Sequence, residues 1–259
     1  VKAAKAAHEM NLKAVIPQLK QLFTDRRASK SARKPALEAL MDMVGDKKEL
    51  EDILIRTLNG DPGSQGIDAN RLAAKELGAI RSVKAVPDLI QALFVSTKTA
   101  GGGTHRLFAA ARVGLAGVGA PAVPMLLKAM TGGDPDFNKF TRSQQIPKWQ
   151  WKWGTEFPVV LSDIRDPAAA AVLAKDIIAR DMVLYEGLSP EQRDVNNDKT
   201  EKIRKAWQKA VLGAQVQSVW ALGRFGSDDA VDILTPVVNN IDKGAEQRVF
   251  AQMALMLIG

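Results

Sequence analysis

Apolar residues recur along this chain at the spacing of amphipathic helices. Two stripes show the pattern, each with apolar side chains at i, i+3, i+4 and i+7, which places them on one side of a helix. The first consists of Val86, Leu89, Ile90 and Leu93, and the second of Val123, Leu126, Leu127 and Met130. A proline follows the first residue of each stripe, and Pro87 and Pro124 are 37 residues apart. The spacing predicts two similar helices in successive repeats.

The repeat extends over the whole sequence. The positions equivalent to Pro87 are Pro17, Glu51, Pro124, Ala171 and Asp232, and successive members of the series are 34, 36, 37, 47 and 61 residues apart. Three regular steps followed by two longer ones predict about six helix pairs with two insertions, at residues 132–154 and 182–204. The expected fold is therefore an all-α solenoid that forms a single domain over residues 1–259.

Each repeat also has a first helix that precedes the proline-containing second helix. Gly45, Gly78, Gly117 and Gly226 lie where the first helices are expected to end. Glycine favours such C-terminal caps because it adopts a left-handed backbone without a Cβ clash. The prolines of the repeat fall in the expected first turn of the second helices, where a missing N–H costs little. The pattern predicts helix, glycine cap, short turn and second helix in each repeat.

The residues of two repeats carry a family resemblance. ELGAIRSVKAVPDLI at 76–90 and ALGRFGSDDAVDILTPVV at 221–238 resemble bacterial HEAT-repeat proteins, the class that includes the phycobilisome-lyase-type repeats. The resemblance covers nearly the whole chain outside the insertions and implies a right-handed α–α superhelix with an extended concave face. It says little about function, because HEAT arrays bind many unrelated partners. A looser resemblance is to envelope-associated bacterial HEAT-repeat lipoproteins, which also have long segments between repeats.

The ends and the composition bear on the protein's context. Residues 1–10 resemble only the end of a first helix, and residues 247–259 resemble a first helix without its second. Since solenoids usually close with polar capping repeats, we expect the chain to be part of a longer protein. The absence of cysteine excludes disulfides and thiolate metal sites, and it slightly favours the cell envelope or periplasm over the cytoplasm. No stretch reaches the roughly 18 apolar residues of a membrane span.

The net charge of +7 is concentrated in one half of the chain. Residues 1–131 hold 20 Lys and Arg against 12 Asp and Glu, whereas residues 132–259 hold 16 against 17. Five cations of the basic half, Arg26, Arg27, Lys30, Arg33 and Lys34, fall within nine residues. Such a cluster suits phosphate contacts, but charge runs are more often solvated helix faces. Nucleic-acid binding is therefore the alternative function, and it requires cations on the second helices, where Lys84, Lys128 and Lys175 are isolated.

The first insertion has the most unusual composition. Three of the five tryptophans, Trp149, Trp151 and Trp153, are interleaved with Lys148 and Lys152. In an extended segment this spacing places the three indoles on one face. Exposed indoles beside cations are strong binding anchors, so these five residues are the candidate contact with a partner. The alternative is that the indoles cover the apolar edge exposed where the repeat is interrupted, because large aromatic side chains are usually buried.

No catalytic, metal or cofactor site is expected. Asp194, Asn196 and Asp198 have the spacing that opens a calcium loop, but lysines stand at positions 199 and 205, where the loop requires Gly and Glu. The Gly-rich residues 101–104 lack the lysine of a phosphate loop and are expected to form a flexible connection. With two histidines and no G-x-S-x-G motif, the sequence favours a non-catalytic scaffold or adaptor that binds a protein partner within a larger assembly.

Overall fold

The computed structural model describes residues 2, 6, 9–10, 12–24, 29–62, 66–98, 102–146, 155–173, 198–226, 228–240 and 245–258. These residues are almost entirely helical, as expected for an all-α solenoid. The α-helices are α1 (Ile16–Thr24), α2 (Lys30–Met43), α3 (Lys47–Asn59), α4 (Ile67–Ala79), α5 (Val86–Ala92), α6 (Phe108–Val118), α7 (Val123–Met130), α8 (Pro135–Ser143), α9 (Glu156–Ile164), α10 (Asp198–Phe225), α11 (Asp228–Asn239) and α12 (Ala245–Ile258). Single 3₁₀ turns lie at Lys13–Val15, Ala120–Ala122 and Pro167–Ala169.

The chain divides into two compact units, residues 1–118 and 119–259. In the first unit, α2, α4 and α6 are first helices and α1, α3 and α5 are second helices. Helix α4 packs against α2, α3 and α6, and α5 packs against α3 and α6. Each helix pair is therefore held by the pairs before and after it, as the repeat predicts.

The second unit continues the alternation around the two insertions. Helix α9 packs against α7 and α10, and α12 packs against α10 and α11. The Arg224 guanidinium of α10 donates to the Ser162 hydroxyl of α9 at 3.1 Å. This bond joins two first helices that are separated in sequence by the second insertion.

The predicted stripes form the core of the helix pairs. Val86, Leu89, Ile90 and Leu93 are at most 1% exposed. In the following repeat Val123, Leu126 and Met130 are buried and Leu127 is half-buried. The repeat prolines are the second residue of α1, α5 and α7, which confirms the prediction that they occupy the first turn.

The prediction for the glycines is confirmed only at Gly226, which has a φ of 63° after α10. Gly78 and Gly117 lie inside α4 and α6, and Gly45 does not have a positive φ. The left-handed residue after α4 is Arg81, with a φ of 54°, where the Ser82 N–H returns to the Leu77 carbonyl. The motif that closes α4 is therefore the expected one, but a non-glycine residue adopts it.

Gly78 and Gly117 instead allow two first helices to touch through their backbones. A Cβ on residue 78 would lie 2.5 Å from the Gly114 carbonyl oxygen, and one on residue 114 would lie 2.4 Å from the Ala74 carbonyl oxygen. A Cβ on residue 117 would lie 2.8 Å from the Gly78 carbonyl. The glycines of α4 and α6 thus face each other, and any side chain there would force the helices apart.

The connection between α5 and α6 contains the Gly-rich residues 101–104, and part of it forms β-structure. It contains two antiparallel strands, β1 (Ser96–Lys98) and β2 (Thr104–Arg106), with Thr97 opposite His105. Five of these six residues are exposed, and Thr97 is half-buried. The first unit therefore carries a small β-hairpin on an otherwise helical framework.

The insertions are partly described. Gly132 has a φ of 80° and ends the segment after α7, and Asp134 then caps α8 by accepting from the Asp136 and Phe137 N–H groups. In the second insertion, Asp198 to Arg204 belong to α10, so this end of the insertion is helix. Within the described residues no single helix is long and apolar enough to cross a bilayer, although the successive helices Phe108–Val118 and Ala120–Met130 together meet that criterion of length and composition.

Candidate functional site

The second helices of the first unit share one face, and a series of polar contacts connects them. Lys20 of α1 pairs with Glu49 of α3. Asn59 at the end of α3 donates to the Asp88 carboxylate of α5 at 2.8 Å. These contacts link α1 to α3 and α3 to α5, so polar side chains connect three successive second helices.

Two further contacts join the start of α3 to the turn before α5. The Ser82 hydroxyl donates to Glu51, and the Lys84 Nζ lies 2.6 Å from the Asp52 carboxylate. We call the four contacts Lys20–Glu49, Glu51–Ser82, Asp52–Lys84 and Asn59–Asp88 the polar seam. Every carboxylate of α3 takes part in it, so the acidic charge of this helix serves contacts between repeats.

The charges of the seam stabilise each other. The hydrogen bond from Lys84 lowers the pKa of Asp52 below its ordinary value. The same bond raises the pKa of Lys84. Lys84 is one of the three isolated cations that the sequence assigns to the second helices, and it is paired with a carboxylate of the neighbouring repeat. This pairing makes it a poorer phosphate contact than its sequence position suggests.

The centre of this face is uncharged. Gln21, Ile55 and Gln91 occupy equivalent positions on α1, α3 and α5 by the repeat alignment, and they are exposed or half-buried. On α3, Ile55 lies three residues after Asp52 and four before Asn59, so it shares their side of the helix. The central stripe (Gln21, Ile55 and Gln91) therefore offers two amides and one apolar side chain between the polar contacts.

A buried asparagine sets the position of the last turn of α3. The Asn70 amide nitrogen of α4 lies 2.8 Å from the Thr57 carbonyl, 3.1 Å from that of Leu58 and 2.7 Å from that of Gly60. It reaches carbonyl groups at the C-terminal end of α3, where few intrahelical N–H donors remain, and it does so at a fully buried position. The sequence reasoning missed this residue, although an asparagine within the apolar face of a helix is a signal, because its amide competes with the helical backbone.

The aromatic insertion begins as a packed helix. Phe137 of α8 is 2% exposed, and its ring lies 6.3 Å from that of Phe140 and 5.7 Å, edge on, from that of Phe157 in α9. The start of the insertion thus covers an apolar part of the repeat. The candidate contact residues Trp149, Trp151, Trp153, Lys148 and Lys152 lie outside the described residues.

The basic cluster of the alternative function is not a uniform surface. Lys30 and Lys34 are exposed on α2, and Lys34 lies 3.6 Å from Glu38 on the next turn. Arg33 is only 2% exposed, so it does not belong to a surface patch. Arg26 and Arg27 lie outside the described residues. The structure therefore brings two of the five cations to one exposed helix face.

Among the described residues, no group of three or more His, Asp or Glu side chains could hold a metal ion. His105 is exposed on β2, and His8 lies outside the described residues.

The comparisons with known proteins agree with the helix pairs. Residues 214–240, which cover the last part of α10 and all of α11, match the family model of the PBS lyase HEAT-like repeat. No curated protein matches the chain. The matched segment contains residues 221–238, one of the two phrases that resemble bacterial HEAT-repeat proteins. With its helix pairs, prolines and buried stripes, the chain is a HEAT-repeat protein.

Proposed function

We propose that this chain is a non-catalytic scaffold that binds a protein partner on the second-helix face of its first unit. The observation that carries the proposal is the uncharged central stripe of Gln21, Ile55 and Gln91 between the contacts of the polar seam. Glutamine amides hydrogen-bond to peptide groups as donor and acceptor, and a half-buried isoleucine adds an apolar contact. Such a surface suits a polypeptide.

The charges around the stripe support the same partner class. A phosphate-binding face needs cations that are available to the ligand. On this face Lys20 and Lys84 are engaged by carboxylates of the neighbouring repeat. The exposed Lys47, Lys48 and Arg56 lie on α3, the helix that also carries Glu49, Glu51 and Asp52. The face therefore carries both signs of charge, which favours a partner that itself carries both signs.

The test is capture of bound partners from the native source after crosslinking, with and without nuclease. We expect a nuclease-resistant protein partner on the wild type and its loss on an Ile55→Lys, Gln91→Lys double variant, because the new cations disrupt a neutral contact. Val113→Glu, on an exposed position of α6, is the matched control and should retain the partner. Melting curves exclude a folding defect. If the double variant keeps the partner, the second-helix face is not the binding site.

The tryptophan insertion is proposed as a second contact of the same scaffold. Replacement of Trp149, Trp151 and Trp153 by alanine is expected to weaken partner capture while helicity and melting stay close to the wild type. A cooperative loss of structure in this variant would mean that the indoles are core residues. The α8 part of the insertion is itself part of the core, because Phe137 packs edge on against Phe157.

The charge of the β-hairpin favours the alternative function, nucleic-acid binding, at a site other than the basic cluster within residues 26–34. No aspartate or glutamate occurs between Asp88 and Asp134, and within that interval Lys98 and Arg106 are exposed on the β-hairpin. Because β1 and β2 pair with Ser96 opposite Arg106 and Lys98 opposite Thr104, the two cations share one hairpin face. A Lys98→Ala, Arg106→Ala variant should then lose salt-dependent binding of labelled duplex DNA. Wild-type protein that does not bind DNA at low salt would eliminate this alternative.

A further inference from the structure

The β-hairpin of the first unit has two outer edges, and its hydrogen bonds identify the backbone groups on them. Ser96 lies opposite Arg106, and the Leu107 N–H donates to the Val95 carbonyl at 3.1 Å beside this pair. In an antiparallel ladder such a bond flanks a pair whose own N–H and C=O groups point away from the neighbouring strand. Because the two kinds of pair alternate, Lys98 directs its backbone groups to the same outer edge of β1 as Ser96 does.

The outer edge of β2 is in contact with α4. The Arg71 guanidinium of α4 donates to the Arg106 carbonyl at 3.3 Å, and it also lies 3.4 Å from the Asp68 carboxylate on its own helix. The Arg106 carbonyl is one of the groups that point away from β1, so this bond uses the outer edge of β2. Helix α4 therefore holds the hairpin against the first unit by that edge.

The outer edge of β1 has no such partner within the part of the chain that the structure describes. Ser96 and Lys98 are both exposed, and no described residue hydrogen-bonds to their outward N–H and C=O groups. Each of these two residues offers one donor and one acceptor at the spacing of a strand. An extended polypeptide pairs with such an edge by continuing the ladder, which a nucleic acid cannot do.

The charge of the hairpin selects the kind of polypeptide. No aspartate or glutamate occurs between Asp88 and Asp134, and the side chains of Ser96, Lys98 and Arg106 share one hairpin face. In a strand added to β1, the residues opposite Ser96 and Lys98 place their side chains on this face and are two residues apart. An acidic residue in the one position lies beside Lys98. In the other it lies two strand spacings, about 10 Å, from Arg106, which glutamate and arginine side chains together bridge.

We propose that the outer edge of β1 is a separate binding site, which takes an acidic, extended segment of a protein partner as an added strand. The segment carries two carboxylates separated by one residue. The hairpin of a second copy is not a suitable occupant, because every charged side chain on the described part of the hairpin is basic. The site does not use the central stripe, so its failure and the failure of the proposed second-helix contact are distinguishable.

Fluorescence anisotropy with a short, blocked and labelled peptide of alternating glutamate and valine tests the site on the full chain. We expect saturable binding to the wild type and binding weaker by about tenfold or more for Lys98→Glu, which sets like charges side by side. Lys128→Glu makes the same change of charge at an exposed position of α7 and is the matched control that should bind like the wild type. A wild type that does not bind the peptide overturns the proposal, and so does equal weakening by the two variants.

N-methylation of the peptide tests the strand edge with wild-type protein alone. The glutamates of the probe lie opposite Ser96 and Lys98, so their N–H groups face β1, whereas the valine N–H groups face away. N-methylation of the glutamates should therefore abolish binding, and N-methylation of the valines should preserve it. If both methylated peptides bind equally well, the hairpin recognises negative charge alone, as nucleic-acid binding requires, and strand addition is wrong.

Discussion

Replacement of Gly78 by alanine tests whether backbone contact between α4 and α6 holds the first unit together. The new Cβ would lie 2.5 Å from the Gly114 carbonyl oxygen and 2.6 Å from its Cα. An ordinary C···O contact is about 3.4 Å, so the helices must separate by roughly 0.9 Å. Both contacting atoms are backbone, so no side-chain rotation relieves the clash.

The expected cost follows from two opposing effects. Overpacking of this kind destabilises by about 1–3 kcal/mol, and a separation of this size forfeits a quarter to a half of the dispersion energy across the contact. Alanine in place of glycine within a helix returns about 1 kcal/mol. These two terms leave a loss of up to about 2 kcal/mol, and the lost dispersion energy adds to it. We therefore expect a net loss of about 1–2 kcal/mol, or a melting temperature lower by roughly 2–8 °C.

Gly213→Ala is the matched control, because the same exchange there meets only the Thr155 methyl at 3.7 Å. It should raise the stability by about 0.5–1 kcal/mol, since the helix gains without a clash. Thermal and urea unfolding, followed by circular dichroism, measure both variants. If Gly78→Ala unfolds at or above the wild-type midpoint, the helices are not held at backbone contact and the reasoning is refuted.

Three further predictions concern single contacts. Asn70→Ala should lower the urea midpoint by an amount equivalent to about 1–3 kcal/mol. Asn70→Asp should lower it further at neutral pH, because a carboxylate would face three carbonyl oxygens. Equal midpoints for the two variants would contradict this account. The pKa of Asp52 is lowered in the folded protein, so the stabilisation from its ionised carboxylate is lost as the pH falls through that folded-state pKa. The pKa of Lys84 is raised in the folded protein, so the stabilisation from its ammonium group is lost as the pH rises through that folded-state pKa. The stability difference between wild type and Lys84→Met should therefore be largest between about pH 5 and 9 and shrink on both sides, and a flat difference would contradict the pairing. Phe137→Ala should cost about 3–5 kcal/mol in the second unit, whereas Phe137→Leu should cost less; urea unfolding that shows no loss for the alanine variant would mean that the contact with Phe157 is dispensable.

The sequence predicted the repeat because periodicity and helix-start signals are local. Each stripe specifies its helix by the spacing of its own apolar residues, and each repeat proline marks a first turn by its own missing N–H. Both features can be read without knowing what packs against them. The helices α5 and α7 accordingly begin where Pro87 and Pro124 place them.

The sequence predictions that were wrong or incomplete concern residues whose role depends on a partner that is distant in sequence. Gly78 was assigned as a cap because its position in the sequence fits one, whereas its contact with Gly114 depends on how two helices pack. Arg33 belongs to a basic cluster in sequence, but the side of α2 on which it falls faces the core. The hairpin at 96–106 was missed because its strands have three residues each, too few to show an alternating pattern.

The hydrogen bonds of the Asn70 amide to the end of α3 affect how the first unit unfolds. Because an amide of α4 holds the last turn of α3, the two repeats that these helices belong to share hydrogen bonds as well as apolar surface. In a one-dimensional array, strong coupling between neighbours makes it costly to open one repeat while the next stays folded. Amide protons of α3 and α4 should then exchange with solvent in a common event, and this stretch of the chain should behave as one cooperative block.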